Sequence, residues 1–240
     1  MKSFWINLQS LFIVYFYLIL DKLGFSNNNA IIFMFHHVSN EPVEASLDCK
    51  CSVEHFTKIL DYLKNKGIKV VSMNDALASI DDGVLSGYAV ITFDDGIDDT
   101  FTIAYPLLKL YNFPFTVYIT LNYLNKQGYL TSEQLEILNE DPLCTLGSHT
   151  LNHTLLRTDL NANDEIVNSK QKLENILRKE VIHFAYPFGA IIAVSNKNII
   201  ETKTAGYKSA VSSVDARLNF LSTINRFYLP RINGSNFNSF

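Results

Sequence analysis

The chain has 240 residues, 48% hydrophobic and 18% charged, with a net charge of -4. That is enough apolar residue for one large globular domain or two small ones, and it excludes a disordered chain. The mild acidity gives no basic face for a nucleic-acid partner, and three cysteines, Cys49, Cys51 and Cys144, are too few and odd in number for a disulfide framework.

The N-terminal stretch departs from this globular character. Residues 4–20 are apolar except for Asn7, Gln9 and Ser10. As a helix the stretch is about 25 Å long, slightly short of a bilayer core of about 30 Å. Four readings compete: a cleaved signal peptide, a signal anchor, a helix lying in the interface, and a helix packed on the domain or a partner. Trp5, Tyr15 and Tyr17 suit an interface. Residues 1–25 are therefore set apart as a membrane anchor or interfacial helix, and residues 26–240 as the main domain.

From Ala30 the pattern alternates between strand and helix. "AIIFMFH" reads as a buried strand. "SVEHFTKILDYLKNKG" follows as a helix, with Phe56, Ile59, Leu60 and Leu63 on one face, Ser52 as N-cap and Gly67 as stop. "IKVVS", "YAVITF", "FPFTVYIT", "LCTLGSH", "VIHFAYP" and "YKSAVSS" read as further strands, and "RFYLPRI" as a last extended piece. Between them "NDALASI", "DDTFTIAYPLLKLYN" with a kink at Pro106, "SEQLEILNE", "ANDEIVNSKQKLENILRK" and "NKNIIETKTAG" read as helices. This alternation predicts an α/β fold with a parallel sheet, either open or closed into a barrel. In both, functional residues gather where strands end. Asp94, Asp95, His36, His149, Tyr186 and Pro187 all stand at such ends.

"VITFDDGIDD" ends a buried strand in two adjacent carboxylates, Asp94 and Asp95, which need a partner to offset their repulsion. "SHTLNH" puts His149 and His153 four residues apart, so that a helical turn would project both rings on one side. Two histidines and one carboxylate make a metal-binding set that leaves positions open to water and substrate. The second carboxylate then stays free as a general base. Such a site suits hydrolysis of an amide or ester. Asp98 and Asp99 read as helix-start caps, Asn152 as a turn residue, and His55 and His183 as non-catalytic.

"TFDDG", "SHTLNHTLL" and "FAYPFG", in this order and spacing, resemble the polysaccharide deacetylases of the NodB-homology type, carbohydrate esterase family 4. The resemblance covers the chain from about Ala30 onward. It implies a distorted (β/α)7-type barrel, with Asp94 as catalytic base and Asp95, His149 and His153 as metal ligands. Tyr186, Pro187, Phe188 and Gly189 would wall the substrate groove, with a backbone N–H nearby for the oxyanion. The implied metal is zinc, with cobalt, nickel, iron or manganese as alternatives, and the implied substrate is an N-acetylated amino-sugar polymer or oligosaccharide.

Two departures stand out. The family's third motif carries an arginine that steadies the base; here it has none, and Arg231 in "LPRI" is the candidate replacement by residue type. The C-terminal histidine that serves as general acid is also missing. "FMFHHVS" resembles a segment of the poly-N-acetylglucosamine deacetylase branch, where the acid comes from the first strand. That match makes His36 the general acid and His37 a groove neighbour pointing to the opposite face. Two other readings remain: deacetylation or deformylation of a lipid-linked sugar, and a non-catalytic carbohydrate-binding barrel. Composition suggests a bacterial protein, and the apolar N-terminus a membrane-associated one, with the cytoplasmic face favoured.

Overall fold

The computed structural model describes residues 29–41, 50–219, 223 and 225–238. The apolar stretch of residues 4–20, the boundary near residue 25 and Cys49 lie outside the described residues. The strands are β1 (Ile31–Phe35), β2 (His37–Val38), β3 (Lys50–Cys51), β4 (Lys69–Val70), β5 (Tyr88–Phe93), β6 (Phe115–Ile119), β7 (Cys144–Ser148), β8 (His183–Ala185), β9 (Ser209–Val211) and β10 (Ile232–Asn233). The helices are α1 (Val53–Asn65), α2 (Met73–Asp81), α3 (Tyr105–Tyr111), α4 (Ser132–Glu140), α5 (Ala162–Leu177) and α6 (Asn196–Thr204).

The main sheet runs β10-β1-β5-β6-β7-β8-β9, every pair parallel, and β4 pairs with the start of β5. It curls into a distorted barrel. The two edges are joined through one short segment: Leu229 bridges to Val211 of β9, and three residues later Ile232 pairs with Phe33 of β1. The same segment carries Arg231, so the residue that closes the barrel lies next to the strand that ends in the acidic pair. Only part of "RFYLPRI" is regular strand, because it is spent bridging two edges.

Strand alternation divides the core in two. Phe33, Phe35, Ile91, Phe93, Val117 and Phe184 belong to the larger cluster, which includes the buried face of α1 (Phe56, Ile59, Leu60 and Leu63). Ile32, Val90, Tyr118, Ala185 and Val211 point the other way into a second cluster with Leu229. Burying each of the four α1 side chains stabilises the fold by roughly 1.5–3 kcal/mol. Gly147 of β7 makes room for the Tyr118 ring: a Cβ there would lie 2.5 Å from Tyr118 Cδ1.

Local signals set most helix starts. Ser52 accepts from His55 N at the head of α1, and Thr131 and Gln134 form a capping box on α4. The expected kink at Pro106 takes a different form. A π-helical turn over Thr100–Ala104 runs directly into α3, and Pro106, in the first turn of α3, follows that widened turn, one of the recognised forms a helix irregularity takes.

Candidate active site

The strand parity that puts Val90 in the inner cluster also turns Thr92 and Asp94 inward. Asp95 would then face away, but it adopts φ 70° and Gly96 follows at φ 73°, which breaks the alternation and keeps Asp95 at the same mouth. Thr150, His153 and Phe188 also hold left-handed backbone, at φ 69°, 57° and 61°. Non-glycine residues there cost energy, and their clustering at one mouth marks a site that the surrounding structure enforces.

Asp94 is buried and clamped. Arg231 Nη1 donates to its Oδ1 at 2.7 Å and Nη2 to its Oδ2 at 2.6 Å. The guanidinium is itself fixed: Nε donates to the Ser212 carbonyl at 2.7 Å and Nη1 to Thr92 Oγ1 at 3.1 Å. Burial pushes the Asp94 carboxyl up, and the Arg231 guanidinium, His149 and His36 override this to leave it well below the usual carboxylate range. Asp94 is therefore ionised across working pH. The Asp94–Arg231 contact spans 137 positions, and no local motif signals it.

Asp95 has a different environment. Its Oδ1 is buried and has no hydrogen-bond partner among the described residues. His149 Nε2 lies 3.5 Å from it and His153 Nε2 3.4 Å. His149 Nδ1 is 2.8 Å from the Ala185 carbonyl, an acceptor only, so Nδ1 carries the proton and Nε2 presents a lone pair when the ring is neutral. Burial holds His149 down to about 3, with His153 also lowered by burial. Burial, with the Asp94 charge adding to it, raises Asp95 to about 6. The His149 Nε2 lone pair thus faces an unpartnered carboxylate oxygen with His153 Nε2 beside it, an arrangement that a cation between them would satisfy. Two ligands about 2.1 Å from one tetrahedral ion stand about 3.4 Å apart, and the observed separations fit. The ligand atoms of Asp95, His149 and His153 all lie within 4.8 Å of one another. The donor set suits a divalent ion, and the His149–Ala185 bond is the outer support such ligands use.

The turn carrying the histidines is not helical, contrary to the reading of "SHTLNH". Left-handed Thr150 and His153 shape it, and His153 N donates to Thr150 Oγ1 at 3.0 Å. The two rings still converge, with centroids 4.9 Å apart.

His36 and His37 point to different partners. His36 Nε2 is 4.0 Å from Asp94 Oδ2, beyond direct hydrogen bonding but within the same mouth. His37 Nδ1 is 2.7 Å from Asp99 Oδ2. Asp99 also accepts from Val38 N, and Asp98 accepts from Gln134 Nε2 at 2.7 Å. Neither side chain caps the helix, as "DDT" had suggested; Asp98 ties to α4 and Asp99 to β2. His55 Nε2 lies 3.1 Å from the Gly234 carbonyl, and His183 is buried between Ser209 and Asn74.

The segment Tyr186 to Gly189, expected to wall a groove, divides into buried and exposed residues. The Tyr186 ring is 1% exposed and packs on Phe184 and Tyr228, and Pro187 is buried. Both side chains lie in packed surroundings behind the exposed Phe188. Phe188 is 57% exposed and its ring lies 4.8 Å from that of His153, so it is the residue that faces the mouth. Its carbonyl accepts from Ser213 Oγ, and Gly189 leaves no room for a side chain, since a Cβ would lie 2.5 Å from Ser213 N. On another side of His153 stands Tyr123, 6.5 Å between centroids, itself 4.7 Å from Tyr129. No sequence motif had singled out these tyrosines.

A family model described as polysaccharide deacetylase matches residues 83–210, more than half of the chain. The protein named "Putative polysaccharide deacetylase YxkH" of Bacillus subtilis (strain 168) is 23% identical over 186 residues, 76% of this chain and 63% of that protein. The chain thus spans less than two thirds of that relative's length. The poly-beta-1,6-N-acetyl-D-glucosamine N-deacetylase of Staphylococcus aureus (strain MSSA476) is 23% identical over 240 residues, 88% of this chain and 80% of that protein. Among solved structures, the Streptococcus pyogenes deacetylase PplD in complex with acetate superposes with a TM-score of 0.76 at 22% identity, over 85% of this chain and 91% of that one. At that identity the likeness establishes the fold.

Proposed function

The chain belongs to the polysaccharide deacetylase family, and on that premise we propose that it is a metal-dependent hydrolase removing N-acetyl groups from an amino-sugar polymer or oligosaccharide. One observation carries the reading: the unpartnered Asp95 Oδ1 facing two imidazole nitrogens, beside a separate carboxylate held ionised by Arg231. Asp95, His149 and His153 would hold the ion, with zinc the favoured metal for this N/O set. Bound there, the ion supplies a more acidic water and a polarised acetamido carbonyl, which suits a base as weak as Asp94.

The chain's own residues account for the proton movements. Asp94 takes a proton from the attacking water, and Arg231 keeps its oxygens in place while that happens. As the C–N bond breaks, the sugar nitrogen needs a proton, and His36 at the mouth gives it. Acetate leaves and the amine stays on the sugar. Phe188 lines the acceptor side, and its N–H makes no hydrogen bond among the described residues, which leaves it available to the oxyanion. His37, locked to Asp99, is a rim residue.

The likeness to the Staphylococcus aureus protein favours β-1,6-linked N-acetylglucosamine as the substrate to try first. Acetate release from such an oligomer is the test. The wild type is expected to release acetate, and His36→Gln to do so at least about 100-fold more slowly. An unchanged rate in His36→Gln would remove His36 as the acid. No release from any acetylated sugar, with metal supplied, would favour a carbohydrate-binding barrel instead.

A second reading places the substrate at a membrane as a lipid-linked sugar. Residues 4–20 favour it by their composition; among the described residues no helix is long and apolar enough to cross a membrane. Equal rates on soluble and lipid-linked sugars would remove its motive.

A further inference from the structure

The loop bearing His149 and His153 has a strained shape and needs something to hold it. Leu151 and Asn152 lie between the left-handed residues Thr150 and His153. Both of their N–H groups donate to one oxygen, Glu165 Oε2, at 3.0 and 2.9 Å. The other oxygen, Oε1, accepts from Asn152 Nδ2 at 2.6 Å. Glu165 is 6% exposed and sits in the first turn of α5, where the helix N-terminus favours its negative charge. From Asn152 the chain of bonds continues: its Oδ1 accepts from Asn122 Nδ2 at 2.7 Å, and Leu121 N and Asn122 N donate to the carbonyls of Thr150 and Leu151. The Leu121–Tyr123 turn is thereby fastened to the histidine loop.

We propose that Glu165 is a positioning residue for the metal-ligand loop. It touches no candidate ligand atom; it acts by fixing the backbone between His149 and His153 so that their Nε2 atoms meet at Asp95. The proposal rests on the reading of Asp95, His149 and His153 as a metal site. Removing the carboxylate leaves three N–H donors without their acceptor, and the loop is then free to relax out of the left-handed conformations at Thr150 and His153. The preformed geometry would be lost before any ion arrives. Supports of this kind are typically worth 10- to 100-fold in metal affinity.

The test uses the full chain, Zn²⁺ and Co²⁺ as probes, competition against a chromophoric chelator, and the visible absorption of bound Co²⁺. Glu165→Ala, which removes both acceptor oxygens, is expected to weaken Zn²⁺ by at least about tenfold and to shift or weaken the Co²⁺ bands, with circular dichroism unchanged. Asn152→Ala, which removes one arm of the clamp and leaves both backbone bonds, is expected to lose about threefold and serves if Glu165→Ala does not fold. A merely structural role would lower the melting temperature of the metal-free protein without moving the Zn²⁺ affinity or Co²⁺ spectrum of the folded protein. That outcome overturns the proposal while leaving the metal site standing. A wild type that binds neither ion overturns both.

Discussion

Asp94→Asn is expected to hold its metal at the wild-type level and to lose turnover by about 10²- to 10⁴-fold, the usual contribution of a positioned general base. The structure separates these two properties. On the proposed reading Asp95, His149 and His153 would supply the ligand atoms, whereas Asp94 is committed to Arg231 through both of its oxygens. Replacing one oxygen by an amide removes the proton acceptor and leaves the ligand set intact. Metal analysis beside acetate release checks both halves at once. Normal turnover in this variant would mean that another group takes the proton. Loss of the ion together with turnover would mean that Asp94 serves the metal.

Arg231→Met should be the most destabilising single change at the mouth, by about 3–5 kcal/mol in urea unfolding at neutral pH, because it leaves a buried carboxylate without its cation. Arg231 is only 1% exposed, and its Nε also satisfies the Ser212 carbonyl. The double variant Asp94→Asn, Arg231→Met should recover part of that loss, since the stranded charge is gone. The sign with pH follows from the Asp94 shift. Its folded-state pKa lies below the ordinary value of 3.8, so the pair's contribution is complete above that value and disappears as pH falls through and below it. The gap between wild type and Arg231→Met should therefore narrow in acid. A loss of less than about 1 kcal/mol at pH 7 would put the pair with solvent-screened ion pairs and contradict the geometry.

What could be read in the sequence was local. Ser52, the spacing of Phe56, Ile59, Leu60 and Leu63, and Gly67 determine α1 within one window, and the structure places all of them so. The acidic pair and the two histidines were legible because their residue types are unusual at strand ends. Features that depend on the curl of the sheet were not. Arg231 meets Asp94 only because residues 229 to 233 bridge β9 and β1. Tyr186 is buried on the opposite face from Ala185: it follows β8 into the larger cluster beside Phe184, and only at Phe188, with its left-handed φ, does the chain turn a side chain to solvent. Asp98 and Asp99 resembled caps because a helix follows, yet the π-helical turn leaves their carboxylates to Gln134 and His37. The histidine turn looked helical by its spacing, but Glu165, fourteen positions from Leu151, decides its shape.

The central claim is that a divalent ion at Asp95, His149 and His153 is required to release acetate. Its most direct measurement is acetate production from a β-1,6-linked N-acetylglucosamine oligomer by one preparation in three states: as purified, after chelation with metal content assayed, and after Zn²⁺ or Co²⁺ is returned. Production should fall to the uncatalysed rate on chelation and come back with the ion. Undiminished production by protein shown to be free of metal would contradict it.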